Sequence, residues 1–458
     1  MSAKLAERTA DQIARDLVVD GVEEGENFGS EAELLVRYQV SRAVLREAIR
    51  LLEHRHVATM KKGPGGGLIV LSPSIDSILD ALLVYLFYVG AETDEVFDVR
   101  LILEEASARL AAKRLTADGA RRLDAFTTDT DAPGDPNPYA MHTVVSELTG
   151  NPALALFVEI LTRTTVLFLP ASTRVRAETM EASHGAHRAI ATAVRTGDAE
   201  RAARRMRTHL AAEAKYLQAR RSRQRRLTEP PEIIGRSGKL AEHTAQAIFE
   251  DIASQGWPVG AHVGCEADLL GEHEVSRSVL REAVRLLEHH QIATMRRGPG
   301  GGLFIVEPGV DAIASSIAMY LEWTGIDQRD LFEVREILET AAVDHAAKAL
   351  DREGVAELNE TMAAETAAVE TQNPMVGHDL HAVLARLSGN RVLEMLIDVL
   401  VELTRIRVVS EAGADVPSAL SESQRAHRAI VTAVLSGDGD LAQRRMQRHL
   451  EALAPWTR

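Results

Sequence analysis

The stretch SRAVLREAIRLLEHRHVATMKKGPGGG, from Ser41 to Gly67, returns as SRSVLREAVRLLEHHQIATMRRGPGGG, from Ser276 to Gly302, 235 positions later. KLAERTADQIARDL at Lys4 is likewise answered by KLAEHTAQAIFEDI at Lys239, and VFDVRLILEEASARLAAKRL at Val96 by LFEVREILETAAVDHAAKAL at Leu331. Farther along stand HTVVSELTGN and HAVLARLSGN, then AHRAIATAVRTGDAERAARRMRTHL and AHRAIVTAVLSGDGDLAQRRMQRHL. The offset drifts only from 235 to 240, so both copies keep their order and nearly their loop lengths. A period this long, present twice, means duplicated domains and not a solenoid. Whatever one copy folds into, the chain folds into twice.

Between the copies runs LQARRSRQRRLTEPPEIIGRSG, with five arginines from Arg220 to Arg226 and then a Pro-Pro pair. Proline ends any helix there, so a helix end running into a linker over 220–238 is expected. No apolar run approaches the roughly 18–20 residues of a membrane span, and MSAKLAERTADQIARDL lacks a signal peptide's apolar core. Cys265 is the only cysteine, which excludes an intrachain disulfide and a thiolate metal cluster. A cytoplasmic protein is expected. The net charge of −15 argues against a general polyanion binder but leaves room for a local basic face.

The opening stretch supplies such a face. Leu45, Ala48, Ile49 and Leu52 recur at helical spacing, so Arg42, Ala43, Arg46, Glu47 and Arg50 point away from the apolar side. Ser41 stands where an N-cap belongs, and just before it SEAELLVRY reads as a short helix whose capping box pairs Ser30 with Glu33. Two short helices joined by a tight turn make a helix-turn-helix, whose second helix enters the DNA major groove by its N-terminal end. HVATM, KKGPGGG and LIVL then read as strand, turn and strand, a β-hairpin wing with Lys61 and Lys62 at its tip. From Ser41 to Gly67 six basic residues face two glutamates, about +4 in all. GPGGG as a nucleotide-phosphate loop is disfavoured, because it joins two strand-like runs and no Walker Lys-Ser pair follows. A merely solvated helix would not explain helix, turn, helix and basic wing in order, twice.

These residues resemble the GntR family of bacterial transcription regulators, and the remainder of each copy resembles the all-helical effector domain of its FadR subgroup, the FCD domain. The resemblance covers nearly all of both copies. The fold class expected is mainly α, with two winged helix-turn-helix domains, each carrying a small β-hairpin wing, and two all-α helical bundles in tandem. The boundaries are 1–73 and 239–308 for the winged helices, and 74–219 and 309–458 for the bundles. The family's DNA contacts map onto Ser41, Arg42, Arg46, Lys62 and Gly63, and in copy two onto Ser276, Arg277, Arg281, Arg297 and Gly298, with Lys61 and Arg296 as further wing charges. Where some members have an arginine in the first helix of the motif, this chain has Ala32 and Ala267.

His187 and His209 lie 22 positions apart on either side of TGD, as do His427 and His449 around SGD. From Gly197 the arms are ten and twelve residues, roughly 15 and 18 Å as helix, so an antiparallel hairpin brings the two histidines level. Gly197 suits the end of the first helix and Asp198 the N-cap of the second. A third histidine, His142 or His381, precedes LTGN or LSGN. Three converging imidazoles suit a divalent metal such as Zn²⁺ or Ni²⁺. The resemblance implies a fourth ligand, an Asp four residues before the first His. Here those positions hold Pro138 and Gly377, leaving Asp135 or Asp379 to reach in. Arg100 with Glu104, and Arg335 with Glu339, are i, i+4 pairs. They read either as helix-stabilising ion pairs or, as the resemblance implies, as arginines gripping the carboxylate of a small organic-acid effector.

The expectation is a ligand-responsive repressor, not an enzyme, that binds an inverted-repeat operator of double-stranded DNA with both winged helices of one chain, an intrachain pseudo-dimer with no membrane partner. A metal-dependent hydrolase using a His₃ site is the alternative of another class, and it lacks a general base near the histidines. The other alternative is a DNA-binding regulator whose helical domains serve assembly alone.

Overall fold

The apolar spacing of each copy is realised as helices, and the short Val/Ile/Met runs as strands. In a computed structural model, residues 2–54, 57–61, 63, 66–71, 75–124, 126, 139–167, 177–220, 230–231, 239–296, 298, 300–370, 379–411 and 416–453 are described. Copy one runs α1 (Ser2–Val19), β1 (Asn27–Gly29), α2 (Glu31–Tyr38), α3 (Arg42–His54), β2 (Ala58–Lys61), β3 (Gly67–Val70) and α4 (Ile75–Tyr88). It continues as α5 (Thr93–Arg114), α6 (Ala117–Asp124), α7 (Ala140–Glu147), α8 (Pro152–Leu167), α9 (Ala177–Arg195) and α10 (Ala199–Arg220). Copy two repeats the order as α11 (Leu240–Ser254), β4 (His262–Gly264), α12 (Glu266–Glu272), α13 (Arg277–His289), β5 (Ala293–Arg296), β6 (Gly302–Ile305) and α14 (Val310–Thr324). Then follow α15 (Gln328–Ala349), α16 (Arg352–Glu370), α17 (Asp379–Leu387), α18 (Arg391–Glu411), α19 (Val416–Leu435) and α20 (Gly439–Leu453). The chain is mainly helical with small antiparallel sheets, as the patterning predicts. Among the described residues no helix is long and apolar enough to cross a membrane.

The chain divides into two units, Met1–Tyr88 with Thr228–Ile326, and Val89–Leu227 with Asp327–Arg458. In the first unit Ala10, Ile13, Ala14 and Leu17 of α1 pack on Leu45, Ala48, Ile49 and Leu52 of α3. The sheet order is β1-β3-β2, with Ala58 opposite Val70 and Lys61 opposite Gly67. Copy two gives β4-β6-β5, with Ala293 opposite Ile305 and Arg296 opposite Gly302. The first strand of each sheet was not foreseen, because three residues show no alternation. A Cβ on Gly67 would stand 2.7 Å from the Gly29 carbonyl oxygen, and one on Gly302 2.6 Å from that of Gly264. Only glycine lets the strands close there.

Helices α4 and α14 exchange partners within this unit. Met319 and Trp323 of α14 pack into the core of the first winged helix. Phe87 and Tyr88 of α4 meet the Trp257 ring of the second, at centroid distances of 6.3 and 5.5 Å, and Tyr88 donates to Glu307 at 3.2 Å.

In the second unit α5 is the hub of one bundle, against α7, α8, α9 and α10, and α15 is the hub of the other, against α17, α18, α19 and α20. The bundles pack together through α5, α15, α8 and α18. The asparagines of LTGN and LSGN have two tasks there. Asn151 accepts from Leu154 N, and Asn390 from Leu393 N, each capping its own helix. Their amides donate across the interface, Asn151 to the Asp330 carbonyl at 2.9 Å and Asn390 to the Glu95 carbonyl at 3.0 Å. Arg114 pairs with Glu333, and Arg391 with Glu95, each at 2.6 Å.

Candidate nucleic-acid interface and histidine centres

Helices α3 and α13 follow from their caps and their apolar faces. Ser30 and Glu33 form the capping box of α2. Ser41 accepts from Val44 N at 3.3 Å, and Ser276 from Val279 N at 3.4 Å, so both serines start their helices as expected. The turn between the two helices puts Gln39 and Glu274 in the left-handed region, at φ 52° and 50°. Ser41, Arg42, Arg46, Ser276, Arg277 and Arg281 are all exposed at the N-terminal ends of α3 and α13. Arg46 leans on Glu31 at 3.3 Å, and Arg281 lies 3.8 Å from Glu266. Those contacts between exposed groups are weak, and phosphate or a base edge can replace them. Lys61 and Arg296 are exposed at the ends of β2 and β5, and Gly63 and Gly298 take φ 108° and 103° in the turns beyond. Arg296 lies over the Phe304 ring, 4.5 Å from its centroid. Lys62 and Arg297 lie outside the described residues.

Sequence reasoning missed what sets the wing. Glu53, near the end of α3, accepts from Met60 N at 2.9 Å, and Glu288 accepts from Met295 N at the same distance. Each ties a wing strand to its recognition helix. The signal was available, a glutamate in both copies seven residues before the strand residue it holds.

In the helical unit the three histidines of each copy converge. The ring nitrogens of His142, His187 and His209 lie within 4.8 Å of one another, as do those of His381, His427 and His449, and all six residues are buried. The hairpin geometry inferred from spacing holds, with Gly197 and Gly437 at φ 71° between the helices and Asp198 and Asp438 capping α10 and α20. Nε2 of His187 and His209 are 3.1 Å apart, those of His209 and His142 3.2 Å, and those of His427 and His449 3.0 Å. Burial, aided by the neighbouring imidazoles, lowers His187 to about 2 and His449 to about 2, and lowers His209 to about 3. Burial also lowers His381. Neutral imidazoles are what a divalent metal requires of its ligands.

A buried relay supports each cluster. Arg100 Nε donates to Glu104 Oε1 at 2.8 Å, and the other carboxylate oxygen receives His142 Nδ1. Arg335, Glu339 and His381 repeat the arrangement. Burial would raise Glu104, but Arg100 and then His142 outweigh it and hold the acid at about 2. Glu339 is held low by the same balance. An ionised carboxylate only accepts, so Nδ1 of His142 and of His381 donates to it, which turns Nε2 of each ring toward the cluster. The i, i+4 pairs are therefore more than helix-stabilising ion pairs. Neither arginine is used up, since Nη2 of both Arg100 and Arg335 is buried with no hydrogen-bond partner.

The copies differ around this common plan. In copy one Glu213 comes within 3.6 Å of Arg100 Nη1, and its Oε2 is buried without a partner. Leu453 stands at the equivalent place, four residues after His449. In copy two Glu365 of α16 lies 2.5 Å from His427 Nδ1. Neither glutamate was singled out from sequence. Pro138, Gly377 and Asp135 lie outside the described residues, as does the side chain of Asp379, so the carboxylate expected from the resemblance is not among the described groups.

Three bare or neutral imidazole nitrogens converging at this spacing fit a divalent metal. The residues that would hold it are His142, His187 and His209 in one bundle and His381, His427 and His449 in the other.

Comparison with known proteins bears on both units. The family model described as bacterial regulatory proteins, gntR family, matches residues 5–67, and that of the FCD domain matches residues 95–212 and again 330–452. The Uxu operon regulator of Haemophilus influenzae is 24% identical over 216 residues, 45% of this chain and 77% of that protein. The HTH-type transcriptional repressor NanR of Salmonella newport is 26% identical over 218 residues, 45% of this chain and 83% of that protein. A solved structure of Streptococcus agalactiae GntR aligns with 47% of this chain and 99% of its own, at 25% identity and a TM-score of 0.38. The chain belongs to the gntR family of bacterial regulatory proteins that carry an FCD domain, and it matches the FCD domain twice.

Proposed function

We propose that the chain is a ligand-responsive repressor that grips one inverted-repeat operator with two winged helices of its own. The observation that carries this reading is the second helix-turn-helix. The gntR match covers only the first copy, yet α12, α13, β5 and β6 follow the same order, with a capped second helix, a left-handed turn before it and a hairpin in the same register. Helix-turn-helix proteins need two recognition helices, spaced by a helical turn of DNA or a multiple of it. Here both come in one chain, and the packing of the two bundles through Asn151, Asn390, Arg114 and Arg391 supports an intrachain pseudo-dimer. The printed name of the Salmonella relative, a repressor, favours repression over activation.

Ser41, Arg42 and Arg46, with Ser276, Arg277 and Arg281, read the major groove, and the arginines address guanine O6 and N7. Lys61, Lys62 and Gly63, with Arg296, Arg297 and Gly298, approach the sugar-phosphate edge. In the bundles Arg100 and Arg335 offer Nη2 to the carboxylate of a small organic acid, for which the unpartnered buried nitrogen is the support. A divalent metal held by the histidines would supply a second, Lewis-acidic anchor for the same carboxylate. Through the glutamate relay each arginine and its histidine are set in one geometry, so ligand and metal-binding residues respond together.

Selection of bound sequences from random DNA tests the reading. A recovered inverted repeat bound by a single chain of 49.9 kDa, measured by light scattering on DNA, is the expected outcome. Two chains per repeat, or a single half-site, would overturn the pseudo-dimer.

A further inference from the structure

Several elements of the first bundle converge on the guanidinium of Arg100. Its Nε donates to Glu104 Oε1 at 2.8 Å, and its Nη1 lies 3.4 Å from Thr165 Oγ1 of α8. The Phe97 and Tyr139 ring centroids are 5.3 and 5.8 Å from its central carbon. Glu213 of α10 also approaches, with Oε1 3.6 Å from Nη1, too far for a hydrogen bond. Two atoms are left over, Arg100 Nη2 and Glu213 Oε2, both buried with no hydrogen-bond partner. A closed pair would satisfy both at once, and this one stops short.

A buried N–H and a buried carboxylate oxygen each cost free energy until they are matched. Nη2 needs an acceptor and Oε2 needs a donor. They belong to groups 3.6 Å apart at the nearest, so one small molecule serves both only if its acceptor and donor are close neighbours. Charge narrows the choice. Glu104 already balances Arg100, which leaves Glu213 as the surplus anion among these groups. A plain carboxylic acid would bring a second anion beside it with no donor, whereas an ammonium both donates and offsets the charge.

We infer that the first bundle takes an amino acid, with its carboxylate on Arg100 Nη2 and its ammonium on Glu213 Oε2. The inference rests on the effector reading proposed above and deepens it, naming the ligand class and Glu213 as the residue that selects it. In copy two the equivalent position, four residues after His449, is Leu453, which offers an ammonium nothing.

The test is calorimetric titration of the full chain with matched series, each a single carbon skeleton bearing an ammonium, a hydroxyl or neither. The series are L-alanine, L-lactate and propionate; L-aspartate, L-malate and succinate; and L-phenylalanine, L-phenyllactate and 3-phenylpropionate. In the series that binds best, the amino acid should bind about 10–100-fold more tightly than the unsubstituted acid. Glu213→Leu and Glu213→Gln should each erase that margin, while binding of the unsubstituted acid is kept or strengthened. A merely structural Glu213 would weaken both ligands alike, and that result would overturn the inference. So would an unsubstituted or hydroxy acid that the unaltered chain binds as tightly as the amino acid, and either result leaves the effector reading standing. If none of these acids binds, both fall. Should Glu213→Leu fail to fold by circular dichroism, Glu213→Gln and the preference of the unaltered chain still decide.

Discussion

The two copies agree where the chain faces outward and differ where it is closed. On the exposed side of α3 and α13 the residues match position for position, except that Ala43 is replaced by Ser278, whose hydroxyl lies 2.9 Å from Ser276 Oγ. Inside the bundles the relay of arginine, glutamate and histidine is common to both, yet among the described residues a further carboxylate lies near the arginine in one, Glu213, and on a histidine in the other, Glu365. Under the proposed reading both outer faces meet one repeated DNA sequence, which gives them reason to stay alike. Buried side chains that meet no DNA have no such constraint.

The largest expected effect tests how far the relays are alike. Removing a buried, paired charge leaves its partner uncompensated and costs about 3–5 kcal/mol. Arg100→Ala strands both Glu104 and Glu213, whereas Arg335→Ala strands Glu339 alone. Both variants should unfold at lower denaturant, Arg100→Ala by the greater margin. The arginines are thus structural as well as candidate ligand contacts, because Nε is committed to the relay. If Arg335→Ala costs less than about 1 kcal/mol, its guanidinium is not the keystone of the second bundle.

A middle-sized effect tests the likeness of the outer faces. Arg42→Ala and Arg277→Ala should each cost about 1–3 kcal/mol in operator binding and relax specificity in one half-site only. Equal losses, measured by titration on the selected operator, would confirm that both helices read bases. A neutral Arg277→Ala would reduce copy two to a scaffold.

How much of this was legible in the sequence depends on how local the cause is. Helix α3 was, because Leu45, Ala48, Ile49 and Leu52 have helical spacing and Ser41 caps its own first turn. The histidine clusters were, because arms of ten and twelve residues about Gly197 bring His187 and His209 to nearly one level. The second bond of Glu104, to His142, was not, since it depends on how α7 seats against α5, 38 positions away. Glu365 was hidden for the same reason, as was Asn151, whose amide crosses to the other bundle. The exchange of α4 and α14 was also beyond reach. A helix as uniformly apolar as IDSILDALLVYLFY announces burial but does not say against which copy.

The smallest effect concerns the wings, where the copies carry the same charge in different chemistry. Lys61 ends β2 as a flexible ammonium opposite Gly67, whereas Arg296 ends β5 over the Phe304 ring. A residue that mainly answers phosphate contributes to every DNA sequence alike, so Lys61→Ala and Arg296→Ala should each lower the slope of log affinity against log salt by about 1 without altering the selected sequence. The guanidinium already resting on an aromatic face gives up less rotamer freedom on binding than the lysine does. At equal salt Arg296→Ala should therefore cost slightly more affinity than Lys61→Ala, a few-fold at most. Operator titrations at three or more salt concentrations would resolve both terms. A changed sequence preference in either variant would mean that the wing reads bases, and the division between reading helix and clamping wing would fail in that copy.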